Sequence, residues 1–125
     1  MTQNTKAFDV SKHRGIVVVT PLGDSLSFRD VDIHRESDEI TEMIRKENLK
    51  RLVIDLGHSN YFGSIMIGMI NSFGQLVKEQ GGQMFLCNAS DDMQAVLKIM
   101  KIDTLWPHFP TQAKAIKAAR AWKPE

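Results

Sequence analysis

Between residues 51 and 90 the apolar positions pass from a continuous run to a helical period and back. Leu52-Val53-Ile54-Asp55-Leu56 is short and almost wholly apolar, as expected of a strand buried on both faces. After a stretch of turn formers, Met66, Met69, Ile70, Phe73, Leu76 and Val77 recur at three and four residues. That spacing predicts one apolar helical stripe, with Ser64, Ile67, Asn71, Gly74, Gln75 and Lys78 on the opposite face. Gly63-Ser64 marks the start of this helix. Gly81-Gly82 marks its end, because a glycine just past the last turn takes the left-handed conformation without a Cβ clash. A second apolar run over 83–88 completes a strand, helix, strand unit, for which parallel strands and a right-handed crossover are expected.

The same reading extends to both ends. Residues 8–12 and 16–22 read as two strands around His13-Arg14-Gly15, an antiparallel hairpin whose second strand is β-branched and ends at Pro21. Across 26–35, Phe28, Val31 and Ile33 fit neither period, and the segment reads as loop with some helix. Ser37 followed by Asp38 and Glu39, with Ile40, Met43 and Ile44 on one side and Arg45-Lys46 at the end, predicts a helix capped at Ser37. Ser90-Asp91-Asp92 opens another, with a stripe of Met93, Val96, Leu97 and Met100. In 102–110 two prolines limit any strand to a short edge, and Thr111 opens a last helix carrying Ala115, Ile116, Ala119 and Trp122. Residues 1–6 are polar and expected to be disordered. The sum is an α/β chain, a small mixed sheet packed against helices, and 125 residues suit one domain over 1–125.

Composition narrows the function. With 42% hydrophobic and 25% charged residues and a net charge of +1, no bulk charge draws the chain to nucleic acid or an anionic membrane. No stretch approaches the roughly 20 apolar residues of a membrane span, and the first ten residues carry no leader pattern, so a cytoplasmic location is expected. Cys87 lies inside an apolar strand with no second cysteine to pair with and reads as a small buried hydrophobe. His13, His34, His58 and His108 are scattered, without metal-ligand spacing, so no metal or cofactor is expected. Asp55, His58 and Ser64 invite comparison with a hydrolase triad. Phe62-Gly63-Ser64-Ile65-Met66, however, lacks the second glycine of the nucleophile elbow, and no enzymatic activity is expected. Gly81-Gly82 follows a helix, where a dinucleotide fingerprint would precede one.

Asp55-Leu56 closing a strand, a serine opening the next helix, Gly81-Gly82, an apolar strand ending near Asn88 and the later leucine-containing helix together resemble the STAS domain of anti-sigma factor antagonists. The resemblance covers nearly the whole chain and implies a STAS-like fold. It also implies a regulatory protein partner, either an anti-sigma factor that is itself a serine kinase or a signalling scaffold. In that family an Asp-Ser pair begins the helix and the serine is phosphorylated. Here the serine position is Ser64, the phosphorylation candidate, while Gly63 stands at the aspartate position and Ile65 and Met66 follow. Without modification, a serine there would cap the helix for about 1 kcal/mol. The partner-binding corner that the resemblance implies comprises His58, Asn60, Tyr61, Phe62, Gly63, Ser64, Ile67, Gly68 and Asn71. Ile67 is expected to be exposed on the helix face away from the core, and weak homodimerisation through it belongs to the same reading. A small-ligand or nucleotide-sensing STAS-like module is the alternative.

Overall fold

The computed structural model describes residues 7–22, 30–58 and 64–124. Two strands open the chain, β1 (Phe8–His13) and β2 (Ile16–Pro21), joined by Arg14-Gly15. Both turn residues have positive φ, 52° and 87°, the signature of a two-residue turn that matches strand twist. His13 therefore pairs directly with Ile16, and the hairpin runs antiparallel to Phe8↔Pro21. The expected disorder of 1–6, and the 23–29 part of the ambiguous segment, lie outside the described residues.

Helix α1 (Asp30–Lys46) is longer than its sequence pattern suggests. Ser37 does not cap it but sits inside it, half-buried. The reason is that Ile33, Ile40 and Ile44 form one buried stripe, and a spacing of seven followed by four carries the helix through the polar residues between. Its end is set by Asn48, at φ 49°, with Leu49 N–H donating to Ile44 O and Asn48 N–H to Arg45 O. These are the two bonds of a Schellman motif.

Next come β3 (Arg51–Asp55), α2 (Ser64–Glu79) and β4 (Gln83–Cys87). Gly81 (φ 86°) and Gly82 repeat the Schellman closure, their N–H groups donating to Lys78 O and Val77 O. Gly82 is also required sterically, since a Cβ there would stand 2.6 Å from Lys50 Cα. Ser90 caps α3 (Asp91–Ile99) by accepting from Met93 N–H. A single 3-10 turn, Ile102–Thr104, leads to the short edge strand β5 (His108–Phe109), and Thr111 caps α4 (Gln112–Ala121) by accepting from Lys114 N–H.

The sheet order is β1-β2-β3-β4-β5, with every pair after the hairpin parallel. Helices cover both faces. Val17, Val19, Leu52, Ile54, Met84 and Leu86 face α1, α2 and α3, whereas Ile16, Val18, Val53, Phe85 and Cys87 face α4. Two side chains depart from the expected pattern. Met100 is exposed, because α3 ends one residue before it. Ile67 is 2% exposed and belongs to the main core, where the sequence pattern assigns it to the surface. The cause is Trp106, fully buried against α2, whose indole N–H donates to Asn71 Oδ1 at 3.1 Å and whose ring would meet a Cβ on Gly74. The sheet covers one side of α2 and Trp106 a second, so the buried arc is wider than one stripe.

Candidate functional site

Three parallel strands, β3, β4 and β5, end together, and the crevice outside the carboxyl ends of such strands is where open α/β sheets place their sites. The chain turns at this end through Asp55, Leu56, Gly57 and His58. Leu56 is buried and its N–H still donates to Cys87 O at 2.9 Å, so the corner stays tied to β4 one residue beyond the strand. Gly57 is exposed but cramped, with Asn88 Cβ and Asp55 Oδ1 each 3.0 Å from where its own Cβ would be.

Asp55 organises the corner. It is 4% exposed and accepts three hydrogen bonds, from Gly57 N–H (2.9 Å) and Asn88 Nδ2 (3.1 Å) on Oδ1 and from Gln112 Nε2 (2.7 Å) on Oδ2. A buried carboxylate needs such donors, and here they come from the β3 exit, the β4 exit and the first turn of α4. Asn88 is held at φ 62°, and its own N–H donates to Phe109 O. The sequence gives no sign of this three-way tie, because Gln112 lies 57 residues from Asp55.

The nine residues expected at the partner-binding corner do not all share one environment. His58 is exposed at the end of the turn. Asn60, Tyr61, Phe62 and Gly63 lie outside the described residues, and Ser64 is the first residue of α2. Gly68 is exposed with nothing within 4 Å of where a Cβ would stand, Asn71 is half-buried beneath the Trp106 indole, and Ile67 is internal. Ile67, expected on the surface, is therefore not available there, and the exposed part of α2 is narrower than expected.

Triad chemistry finds no support in this geometry. Both Asp55 oxygens are engaged by Gly57, Asn88 and Gln112, and the carboxylate's hydrogen bonds serve the corner itself, not an imidazole. Cys87 is buried, its thiol 3.7 Å from Ile54 O. Burial, with the Asp55 charge adding to it, pushes its pKa up to about 12, far from a reactive thiolate. Among the described residues no group of three His, Cys, Asp or Glu side chains could hold a metal ion, and no helix is long and apolar enough to cross a membrane.

His108 has a structural task. Its Nε2 accepts from Ala89 N–H at 3.1 Å, fixing the neutral ring between β5 and the start of α3, and burial lowers its pKa. A cavity of about 350 Å³ opens beside it, lined by Leu86, Leu97, Gln94 and Lys98 among others.

Comparison with known proteins gives one consistent answer. The family model described as STAS domain matches residues 7–115. The anti-sigma F factor antagonist of Paenibacillus polymyxa is 21% identical over 108 residues, covering 86% of this chain and 90% of that protein. Among solved structures, an anti-sigma-factor antagonist (STAS) domain protein from Planctomyces limnophilus superposes with a TM-score of 0.74 at 22% identity, covering 91% of this chain and 98% of the other. The Bacillus cell fate determinant SpoIIAA in its phosphorylated form gives 0.70 at 18% identity, covering 90% and 98%.

Proposed function

The chain belongs to the STAS domain family, and from that premise we propose that it is a regulatory protein-interaction module of the anti-sigma factor antagonist kind, acting in the cytoplasm as one domain. It docks its partner through residues 58–64 and the adjoining surface of α2 at the exposed Gly68. The partner is an anti-sigma factor with serine kinase activity or a signalling scaffold.

The observation that carries this reading is the Asp55 tie. Asn88 and Gln112 tie the root of the 58–64 stretch to β4 and α4 through Asp55, and Gly57 N–H closes the turn on the same carboxylate, so the stretch leaves a fixed platform at the sheet end. A rigid root lowers the ordering cost of binding.

Ser64 is the switch within this reading. It opens α2, whose first turn contains no acidic residue, and a phosphate of about −2 charge is favoured at the positive end of a helix dipole. Phosphorylation would therefore leave the fold intact and act on the bound partner. Gly63 in place of the family's aspartate removes one carboxylate from the partner-facing surface.

The test is affinity capture from the native cells with the wild type, Ser64→Ala and Ser64→Glu, combined with intact-mass analysis. The expected result is a phosphate on wild type that Ser64→Ala lacks, and a specific partner retained by Ser64→Ala but released by Ser64→Glu. Equal retention by all three variants would overturn the switch. Absence of any stoichiometric protein partner would overturn the module itself.

A further inference from the structure

The net charge of +1 conceals a separation of charge across the sheet. From Gln112 to Lys123, Lys114, Lys117, Arg120 and Lys123 are accompanied by no acidic residue. Helix α1 carries six acidic residues against three basic ones. The two helices lie on opposite faces, α4 on the Ile16, Val18 and Phe85 side and α1 on the Val17, Val19 and Leu52 side.

Each helix also borders a shallow apolar groove. On the α1 side, Phe8, Val10, Ile40 and Met43 floor a groove of about 280 Å³ with Glu36 and Glu39 on its rim. Val10 is 39% exposed there. Glu36 is occupied with the N–H groups of Ala7 and Phe8, while Asp38, Glu39 and Glu42 are exposed. On the α4 side, Ala113, Ile116 and Ala121 line a groove of about 330 Å³ edged by Lys117 and Arg120. Arg120 reaches towards His13 O at 3.5 Å, which extends the basic strip to the exposed Arg14.

Such strips oppose the stability of the isolated helix. Lys114, Lys117 and Arg120 follow at intervals of three on one face, where like charges repel by a few tenths of a kcal/mol per pair. Interspersed acids would remove that cost and none is present. The two grooves have apolar floors and rims of opposite sign, so each satisfies what the other lacks.

We propose that α4 of one copy docks on the α1–β1 groove of a second copy, head to tail. The two patches are different surfaces, so the contact is heterologous. It cannot close as a twofold dimer, and it builds a ring or an open chain. The apolar floors supply the affinity and the charged rims supply register and rate, which makes the association salt-sensitive.

The test is sedimentation of the full chain across a wide concentration range at low and high salt, with two charge-reversal variants. One carries Glu39→Lys and Glu42→Lys, the other Lys117→Glu and Arg120→Glu. The wild type is expected to rise in mean mass beyond a dimer at low salt and to return to monomer at high salt. Each variant alone is expected to be monomeric, because its two patches then share a sign, and the equimolar mixture to associate. Circular dichroism checks that both variants remain folded. Wild type that stays monomeric at every concentration in low salt would overturn the proposal and leave the basic strip to an acidic partner protein. A mass that stops at the dimer would overturn it too, as would a mixture of folded variants that stays monomeric.

Discussion

Nε2 of Gln112 donates to Oδ2 of Asp55 at 2.7 Å, joining α4 on one face of the sheet to the corner that feeds α2 on the other. Removing the acceptor and removing the donor are not equivalent. Asp55→Ala breaks three bonds and strands the Asn88 and Gln112 amides, and should cost about 2–3 kcal/mol. Gln112→Ala breaks one and should cost about 1 kcal/mol. Urea unfolding gives both, and an Asp55→Ala midpoint within error of wild type would remove the tie from the account of this corner.

Two glycines of α2 should respond in opposite directions. A Cβ at Gly74 would stand 2.6 Å from Met84 Cε and 2.7 Å from Trp106 Cζ2, and Trp106 is 1% exposed with nowhere to move. Gly74→Ala is expected to destabilise by about 1–3 kcal/mol through overpacking and to alter tryptophan fluorescence. At Gly68 nothing lies within 4 Å, so Gly68→Ala is expected to stabilise by about 0.5–1 kcal/mol through helix propensity alone. Thermal unfolding of the pair decides, and a shift of the same sign in both would contradict the packing described.

Ile67→Ala is expected to behave as a core deletion, costing about 2–4 kcal/mol, with no change in solution mass. Sedimentation alongside denaturant titration separates the two readouts. A fully stable variant with altered mass would return Ile67 to the surface.

Acidification should weaken the fold through His108. Its folded pKa lies below the ordinary 6.5 because burial disfavours the charged ring, so the unfolded chain binds the proton more readily. The stability it contributes is full above 6.5 and is lost as pH falls through that value towards the lowered one. Protonation would also turn Nε2 from acceptor to donor against Ala89 N–H. His108→Gln keeps an acceptor without a titration, so on moving from about one unit above to about one unit below 6.5 it should lose less stability than wild type. Identical losses would exclude His108 as the group responsible.

What was legible in the sequence follows from the range of each interaction. The hairpin, the strands around α2 and the caps at Ser90 and Thr111 depend on neighbours within a few residues, and pattern reading places them correctly. The start of α1 was not legible, because Ser37 followed by acids looks like a cap while the Ile33 and Ile40 contacts that extend the helix are tertiary. The same limit applies to the candidate site. Ser64 at the head of α2 can be read from the chain, whereas the burial of Ile67 depends on Trp106 and the fixing of Asp55 on Asn88 and Gln112. Asn71, which sequence alone assigns to a partner, serves the indole of Trp106.

Cys87, shut in the sheet between Ile54 and α4, makes the chain its own clock. It is the one thiol in 125 residues, so a thiol reagent has one place to react and can reach it only when α4 lifts from the sheet or β4 parts from its neighbours. The labelling rate would then count the openings that uncover this face of β4, with no probe attached. A partner bound at the adjoining 58–64 corner would be detected as a slowing of that count.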